Sequence, residues 1–571
     1  MSSSAPNAAS DAAPDAGSGA LPGAAESRPT APGLGSAILR GATLILVITL
    51  LARIAGFVRY LVFGASVGAG DVGTAYASAN LVPNLLFEVA AGGALAASVV
   101  PLVAGLVGGS RTEREEASRI ISVLLCWTLL VTIVLAGALA LAADPLAALI
   151  LDSRAPTDAA TVALGARMLR VFALQLPLYG MTVVLAAYLQ ARKRFFWPAL
   201  VPLLSSLLVI LAYRLYAGAA PAVATSTTIG PLAEGLLVWG TTAGVAVMAI
   251  SLCIPAARAG LRLRPGLRMP AGHGRRALAL AGAGLGAVGA QQLALALILL
   301  LAMRTGGTGT LPVFQYAQAV YLLPFAVLAI PLITSVFPHL SEQRTVGDIA
   351  AFGRTAGLSL RTLAVIGAIG GAALFGAGPA LEAFFRHIDR AGAVGVGAAV
   401  AAMALGLLPY ILTVQCTRIL SAALRARDAA IVGSIGWIAA GALIVAVAMA
   451  STGAGAAQAA TAFAFAISIG MWVSAVSGMH RVSDVLASGA QRAPLHRSVL
   501  AAAVAVPAGG IPALLLGRAL VHQGVGEIGT VLLGVLTGGV AAAIALAVMA
   551  LADPGAAARL RSRLPRGRGR R

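Results

Sequence analysis

The sequence predicts an all-α polytopic membrane protein of about fourteen transmembrane helices, arranged as two pseudo-symmetric lobes around a central cavity. Three observations predict this fold. The 571-residue chain is 59% hydrophobic and only 11% charged, with a mean hydropathy of +0.92, whereas about 25% of the residues of soluble domains are charged. Apolar runs of about 20 residues, enough to cross roughly 30 Å of hydrocarbon, recur along almost the whole chain. A weak internal repeat divides these runs into two sets.

The apolar segments and the loops between them predict the topology. Fourteen segments can be counted, centred near residues 50, 90, 131, 175, 206, 243, 289, 325, 366, 407, 439, 467, 508 and 540. Arginine clusters follow every second segment, as at Arg114, Arg192 and Arg262, and the alternate loops carry acidic residues such as Asp144 and Asp389. By the positive-inside rule both termini are cytoplasmic, which agrees with an even number of spans. The net charge of +20 is therefore assigned to membrane topology and not to nucleic-acid binding.

The internal repeat has an offset of roughly 235 residues. Leu176-Pro177-Leu178-Tyr179 in the fourth segment corresponds to Leu408-Pro409-Tyr410 in the tenth, and a basic turn follows each. An offset of six segments gives both copies the same orientation, which indicates a parallel repeat about an axis along the membrane normal. The last two segments lie outside the repeat.

This repeat predicts the organisation of the chain. Residues 1–36 are rich in Ser, Ala, Pro, Gly and Asp, without the apolar core of a signal peptide, which predicts a disordered cytoplasmic tail. Cys126, Cys253 and Cys416 lie in apolar segments without disulfide or metal spacing. The predicted parts are a tail at 1–36, a first lobe of helices 1–6 at 37–255, a cytoplasmic basic linker at 256–275, a second lobe of helices 7–12 at 276–480, helices 13 and 14 at 481–552, and a basic cytoplasmic tail at 553–571.

Two arginines, Arg53 and Arg59, lie inside the first apolar segment. A charge at membrane depth costs roughly 3 kcal/mol on insertion scales, so the pair indicates a water-filled cavity that accepts an anionic group. The two residues are about 9 Å apart along a helix axis and about 120° apart around it. They can share a cavity through side-chain reach or through a bend at Gly56. The alternative for Arg59 is that its side chain extends to the outer membrane interface.

The second segment carries Asn80, Asn84 and Glu88 at successive i, i+4 positions, which places two amides and one carboxylate on one stripe of a helix. Hydrogen bonds to neighbouring helices, worth about 0.6 kcal/mol each, are the alternative role of the amides. Glu88 is expected to pair with Arg53 or Arg59 and to act as a gate. We therefore predict these five residues as substrate-binding, with no catalytic residue, no metal site, no cofactor and no enzymatic activity. A coupling ion or the membrane potential stays open as the driving force.

A family resemblance rests on motifs in these helices. Ala52-Arg53-Ile54-Ala55-Gly56-Phe57-Val58-Arg59 resembles the Ser/Ala-Arg-x-x-Gly-Phe-x-Arg motif in the first helix of the MurJ (MviN) family. That family belongs to the multidrug/oligosaccharidyl-lipid/polysaccharide exporter superfamily. Val82-Pro83-Asn84-Leu85-Leu86 continues the resemblance through the second helix. The resemblance implies a fourteen-helix, two-lobed flippase for lipid II, the undecaprenyl-pyrophosphate-linked peptidoglycan precursor, in which Arg53 and Arg59 line a cationic cavity for the pyrophosphate.

Some positions depart from the better-known pattern of this family. Phe87 and Gly92 stand where an arginine and a glutamate are usual, and Thr74 replaces an acidic residue. Gln318-Ala319 replaces an Asp-Arg pair in the eighth helix. This combination is similar to the actinobacterial branch of the family. It leaves fewer arginines for a phosphate clamp.

The expected function is the translocation of lipid II from the inner to the outer leaflet of the cytoplasmic membrane by alternating access, for cell-wall synthesis. A flippase for another polyprenyl-pyrophosphate-linked glycan fits the charge equally well, and a superfamily drug exporter is a further alternative that should show more carboxylates. A non-transporting membrane scaffold for cell-wall enzymes is the alternative of a different class, favoured by Ala319. The expected partners are the undecaprenyl-pyrophosphate-linked saccharide lipid, the membrane and cell-wall synthesis proteins, and not nucleic acid.

Overall fold

Every regular element in the described part of this computed structural model is helical. The structure describes residues 33–552 apart from 90–98, 101, 104, 107–108, 153–157, 270–272, 487–488 and 523. The predicted tail at 553–571 lies outside these residues, as does the predicted tail at 1–36 up to residue 32. The chain divides into two units, Met1–Leu44 and Ile45–Arg571. The first unit contributes the helical start from Gly33, and every site described below lies in the second.

The first lobe is built from eight described helices before the basic linker. Several predicted spans consist of two shorter helices, because a turn interrupts them. The helices are α1 (Gly33–Ser66), α2 (Asp71–Phe87), α3 (Arg111–Leu141), α4 (Ala143–Leu151), α5 (Asp158–Phe172), α6 (Gln175–Ala191), α7 (Phe196–Ala219) and α8 (Pro231–Arg258).

The second lobe repeats this series, and two further helices pack against it. A π-helical turn at Phe325–Ala329 interrupts one span directly after Pro324, which has no N–H to continue the α-helical ladder. The helices are α9 (His273–Gly306), α10 (Thr310–Pro324), α11 (Ile330–Val346), α12 (Ile349–Gly376), α13 (Gly378–Ile388), α14 (Val396–Ala404), α15 (Leu407–Ala422), α16 (Ala426–Ala450), α17 (Ala456–Ser483), α18 (Gly489–Leu520) and α19 (Glu527–Ala552).

The number of membrane spans agrees closely with the sequence prediction. Within the described residues, twelve helices are long and apolar enough to cross a membrane, and the pair α14 and α15, bent by 47°, can form a thirteenth span. Helix α2, with 17 residues, begins the predicted segment near residue 90, and the continuation at 90–98 lies outside the described residues. The predicted fold class, an all-α polytopic membrane protein of about fourteen spans, is confirmed.

The parallel repeat is visible in the turns that end α6 and α15. Each helix ends with a residue in the left-handed region, Lys193 with φ 58° and Leu424 with φ 62°. In each turn the next N–H returns to a carbonyl five residues earlier, from Arg194 to Leu189 at 2.8 Å and from Arg425 to Leu420 at 2.9 Å. A non-glycine residue in this conformation is uncommon, so its presence in both copies supports a shared local structure.

The apolar core joins the lobes at one end of the bundle only. One cluster of buried side chains, which includes Phe63, Tyr76 and Tyr316, contains residues of both lobes. Two further clusters, around Ile120 in the first lobe and Leu412 in the second, each belong to a single lobe. We call the end that carries the arginine-rich turns at Arg192 and Arg425 the basic face, and the other end the opposite face. The lobes are packed together toward the opposite face and have separate cores toward the basic face.

The left-handed turn of the second lobe generates a stability prediction. Leu424 is 82% exposed, so its side chain contributes little packing, while its backbone conformation costs roughly 1–2 kcal/mol for a residue with a Cβ. Replacing Leu424 with Gly should raise the stability by about 0.5–1 kcal/mol after the greater flexibility of glycine in the unfolded chain is subtracted. Thermal unfolding in detergent measures this change. Leu424→Ala is the matched control, because it keeps the Cβ, and an equal gain for both variants would contradict the prediction.

Candidate functional site

A cavity of about 700 Å³ lies between the lobes, and all five predicted site residues line it. Most of its wall comes from the first lobe, through α1, α2, α6, α7 and α8. The second lobe contributes one side through α10 and the turn that follows it. The second-lobe residues in the wall are Gln315, Ala319, Leu322, Leu323 and Ala326. The sequence prediction of a central cavity with Arg53 and Arg59 in its wall therefore agrees with the geometry.

The depth of each predicted residue follows from its position along its helix. Arg59 lies seven residues before the end of α1 at Ser66, and Asn80 nine residues after the start of α2, so both are roughly 10–14 Å from the opposite face. By the same count Arg53 and Asn84 are both at a depth of roughly 20 Å. Each arginine therefore has one amide at its own level, which gives the cavity two tiers of polar groups.

Arg59 lies inside the cavity and does not extend to the membrane interface. Its guanidinium carbon is 5.5 Å from the centre of the Tyr60 ring, at the distance of a cation–π contact. Arg53 is exposed and lines the same cavity. The predicted alternative in which Arg59 reaches the outer interface is not what the structure shows.

The predicted ion pair of Glu88 with Arg53 or Arg59 is absent from the described residues, and this prediction was wrong. Glu88 follows the last residue of α2, is exposed, and takes no part in any ion pair there. Its depth from the opposite face is roughly 25 Å, about 6 Å beyond Arg53 and 15 Å beyond Arg59. The linear sequence does not show this difference in depth. Asn84 is also used locally, because its side-chain amide donates to the Asn80 carbonyl at 2.9 Å.

A group of tyrosines in the wall of the cavity was not predicted from the sequence. The Tyr76 hydroxyl lies 2.8 Å from the Tyr213 hydroxyl and 2.9 Å from the Thr241 hydroxyl. Tyr179 is stacked on Phe87 with ring centres 4.6 Å apart. These hydroxyls come from separate helices, so no spacing rule links them. Tyr76 alone gave a signal, since it lies four residues before Asn80 on the predicted polar stripe.

The lobes are fastened together at the opposite face by the carboxylate of Asp389, which is only 5% exposed. Its Oδ1 atom accepts hydrogen bonds from the Ala69 N–H of the first lobe at 3.1 Å and from the N–H groups of Ala391 and Ala393 in its own loop. Its Oδ2 atom accepts from the Tyr316 hydroxyl at 2.9 Å. Burial raises the pKa of the Asp389 carboxyl above its ordinary value, although these four donors act in the other direction.

The neighbouring Arg390 makes the complementary contacts. Its guanidinium donates to five carbonyl oxygens of the first lobe, at distances from 2.6 to 3.4 Å. Its own backbone N–H donates to the Gly64 carbonyl at 2.9 Å. These carbonyls lie where α1 and α7 end and in the loop after α7, and they belong to Ser66, Ala217, Ala220, Pro221 and Ala222. We call Asp389 and Arg390, with these contacts, the latch.

A further contact between the lobes uses one of the positions that departs from the family pattern. The Gly309 N–H at the start of α10 donates to the Thr74 hydroxyl at 2.9 Å, and Thr74 is 3% exposed. A threonine oxygen can accept this hydrogen bond as a carboxylate could. Together with the latch, this contact holds the two lobes together at the opposite face.

Comparison with known proteins identifies the family. The family model described as "Lipid II flippase MurJ" matches residues 63–523, well over half of the chain. The chain belongs to the MurJ family.

Among curated proteins, a probable lipid II flippase MurJ of Rhizobium tropici is 28% identical over 309 residues, which are 53% of this chain and 54% of that protein. A second, from Synechocystis, is 29% identical over 235 residues, which are 40% of this chain and 42% of that protein. The chain thus spans about half the length of these MurJ relatives, or less.

Solved structures support the same MurJ fold. A lipid II flippase MurJ in an inward closed conformation has a TM-score of 0.68 at 18% identity, and the match covers 89% of this chain and 99% of that one. An inward-facing multidrug resistance transporter of the MATE family has a TM-score of 0.59 at 12% identity, with 78% and 99% covered. At these identities the likeness shows the fold alone. The two-lobed arrangement is therefore shared with transporters of the wider superfamily.

The latch generates a conformational prediction. Removing the Asp389 carboxylate by Asp389→Ala leaves buried N–H groups without an acceptor, at about 1–3 kcal/mol for such a group, and should increase the population with an open opposite face by about tenfold or more. Spin labels at the exposed positions Val223 and Val394, with the three native cysteines replaced by alanine, report this opening as a longer interlabel distance. Arg386→Gln is the control, since the ion pair of Arg386 in the described part of the chain is with Glu382, inside the second lobe.

The pH dependence of the same equilibrium has a defined sign. Burial raises the pKa of Asp389 in the latched state, so this state binds the proton more tightly than a state in which the carboxyl meets water. The resulting stabilisation of the latched state is complete below the ordinary pKa of 3.8. It is lost as the pH rises through the raised pKa of Asp389. Acidification should therefore reduce the long-distance population in the wild type but not in Asp389→Ala. An increase on acidification would contradict this assignment.

Proposed function

We propose that this protein is a flippase that moves lipid II from the cytoplasmic to the outer leaflet of the cytoplasmic membrane. The observation that carries the proposal is a cavity between two lobes that are held together at the opposite face, with two arginines in its wall. Guanidinium groups suit the recognition of phosphate because their planar donors match two phosphate oxygens at once. The family model and the relatives named as probable lipid II flippases support the choice of substrate.

The orientation that we propose places the basic face in the cytoplasm. The turns at Arg192 and Arg425 and the arginines between 258 and 268 lie on this face, and the positive-inside rule assigns such loops to the cytoplasm. The cavity as it stands is then open to the leaflet in which the precursor is made. The latch closes the outer side, so release requires the latch to open.

The two tiers of the cavity suggest how the headgroup is held. Of the two arginines in the cavity wall, Arg53 lies nearer the basic face and meets the pyrophosphate before Arg59, which receives it about 9 Å deeper. Asn80 and Asn84 are neutral donors and acceptors at the same two levels and suit sugar hydroxyls. Glu88 lies at the mouth of the cavity, where its negative charge repels anionic groups. The arginines deeper in the cavity attract them. The polyprenyl tail stays in the lipid.

Two family arginines are replaced in this cavity by groups that carry no charge. Phe87 is stacked on Tyr179, and Ala319 leaves an uncharged wall on the second lobe. Arg418 is the remaining cation on the facing helix α15, exposed and 5.5 Å from the Phe337 ring. We propose that it acts at the mouth of the cavity, before Arg53.

The arginines generate the first functional prediction. Arg53→Ala and Arg59→Ala should each reduce lipid II translocation by at least tenfold, because a charged hydrogen bond is worth about 1.5–3 kcal/mol. Lysine at either position should keep part of the activity, since it preserves the charge but not the paired donors. The measurement is the rate at which lipid II becomes accessible on the far side of reconstituted vesicles. Arg214→Ala is the matched control, because Arg214 lies in α7 outside the cavity wall, and unchanged transport in both test variants would refute the assignment.

The same vesicles separate the alternative functions. A polyprenyl-pyrophosphate lipid with a different glycan, added as a competitor, distinguishes a lipid II flippase from one with another substrate. A scaffold for cell-wall enzymes would move neither lipid and would fail to rescue a strain depleted of its own flippase. We expect transport of lipid II and rescue of growth by the wild type, and loss of both in Arg53→Ala.

A further inference from the structure

A second arginine-lined pocket, separate from the central cavity, lies on the basic face of the first lobe. It has a volume of about 270 Å³ and forms where α3 begins, α6 and α8 end and the basic linker starts. Its wall contains four arginines and a single carboxylate, which are Arg111, Arg114, Arg192, Arg262 and Glu115. Nothing in the proposed translocation uses this pocket.

The local structure of the linker builds the wall of the pocket. Helix α8 ends at Arg258 and is followed by Gly260, whose φ of 92° suits glycine, and the Leu261 N–H returns to the Ala256 carbonyl at 3.1 Å. The linker then runs along α3, where the Arg264 N–H donates to the Ser122 hydroxyl at 3.0 Å. The Tyr188 hydroxyl donates to the Ala259 carbonyl at 3.2 Å, which ties α6 to the same turn. The arginines therefore stand on a backbone that is held from three helices.

The charges of this pocket are not balanced from within. Arg111 pairs with Glu115 at 3.3 Å, and both side chains are well exposed. Arg114 and Arg262 take part in no ion pair in the described part of the chain. Four guanidinium groups face one carboxylate, so a surplus of positive charge lines the concave surface.

In the second lobe, arginines at the equivalent place are paired with an acidic residue. There the turn after α15 supplies Asp428, which pairs with Arg425 at 2.6 Å and with Arg481 at 3.2 Å. In the first lobe the corresponding turn after α6 continues with Phe195, Phe196 and Trp197 and supplies no acid. The positive-inside rule applies equally to both lobes, so topology alone does not explain why Arg114 and Arg262 take part in no ion pair within the described residues.

The aromatic residues next to the pocket indicate its depth in the membrane. Trp197 is partly exposed and follows the exposed Phe195 and Phe196 beside Arg194, and tryptophan is enriched at the headgroup level of membrane-spanning proteins. At that level the abundant anions are lipid phosphates, which attract basic side chains.

We propose that this pocket binds the phosphate group of an anionic membrane lipid, with Arg114 and Arg262 as the principal contacts. The bound headgroup supplies the counter-ion that Asp428 supplies in the second lobe. Because the pocket joins the ends of α3, α6 and α8 to the linker, occupancy by the lipid stabilises these elements relative to one another. The proposal does not depend on what the central cavity transports.

The test measures the association of spin-labelled phosphatidylglycerol with the full-length protein in phosphatidylcholine vesicles, relative to spin-labelled phosphatidylcholine. The double variant Arg114→Gln with Arg262→Gln should lower this selectivity by at least tenfold, since a basic residue near an anionic surface contributes about a fivefold factor. Arg354→Gln with Arg427→Gln is the matched control. It removes the same charge from exposed positions of the second lobe outside the pocket and should stay within twofold of the wild type.

A second variant supplies the missing counter-ion. Ser118 is buried at the pocket wall, and Ser118→Asp should abolish the selectivity if it places a carboxylate where the lipid phosphate binds. Its thermal stability is measured alongside, and a stable variant with wild-type selectivity would overturn the proposal. Equal losses of selectivity in both double variants would mean that diffuse surface charge attracts the lipid and would also overturn the proposal.

A separate titration distinguishes a lipid from free phosphate. Inorganic phosphate is titrated into protein in pure phosphatidylcholine. Saturable binding of phosphate that the double variant loses, with unchanged lipid selectivity, would reject the lipid as the ligand.

Discussion

The structure depends on how the backbone groups at the ends of α1 and α7 are satisfied at the opposite face. The last carbonyl groups of a helix have no partner within the helix and carry partial negative charge. Arg390 meets these groups from the other lobe, and Asp389 accepts the N–H of Ala69 just before α2 begins. A cation and an anion next to each other in the chain thus neutralise helix ends of the other lobe that are between 168 and 324 residues away. If either were lost, buried polar groups on both sides would lack partners.

This fastening determines where the cavity can open. The lobes share one apolar core near the latch and have separate cores toward the basic face among the described residues, and the cavity with Arg53 and Arg59 lies between them. Two arginines at membrane depth cost less free energy in a hydrated cavity than in contact with lipid. The same geometry leaves Arg59 among tyrosine rings and hydroxyls at the closed end, which is where an anionic group would be least exposed to solvent.

The sequence predicted features that depend on local composition and could not predict those that depend on depth or distant contacts. Apolar runs and charges within them are visible in a short window, so the spans, the repeat and the positions of Arg53, Arg59, Asn80 and Asn84 in the cavity were predicted. The pairing of Glu88 with an arginine was wrong, because the relative heights of two helices are set by packing. The latch was not predicted, because Asp389 and Arg390 resemble ordinary loop residues in the sequence. Their partners in the first lobe are distant in the chain and become neighbours only in the fold.

In the proposed mechanism, transport requires the lobes to separate at the latch. A Cβ on Gly70 would lie 3.3 Å from the Cβ of Ala391, close to the separation that a disulfide requires. The most direct measurement is lipid II translocation by Gly70→Cys with Ala391→Cys, in a chain without its three native cysteines, before and after reduction. We expect that the oxidised protein does not transport lipid II but still binds it. We expect that a reductant restores transport. Undiminished transport by the fully cross-linked protein would contradict it.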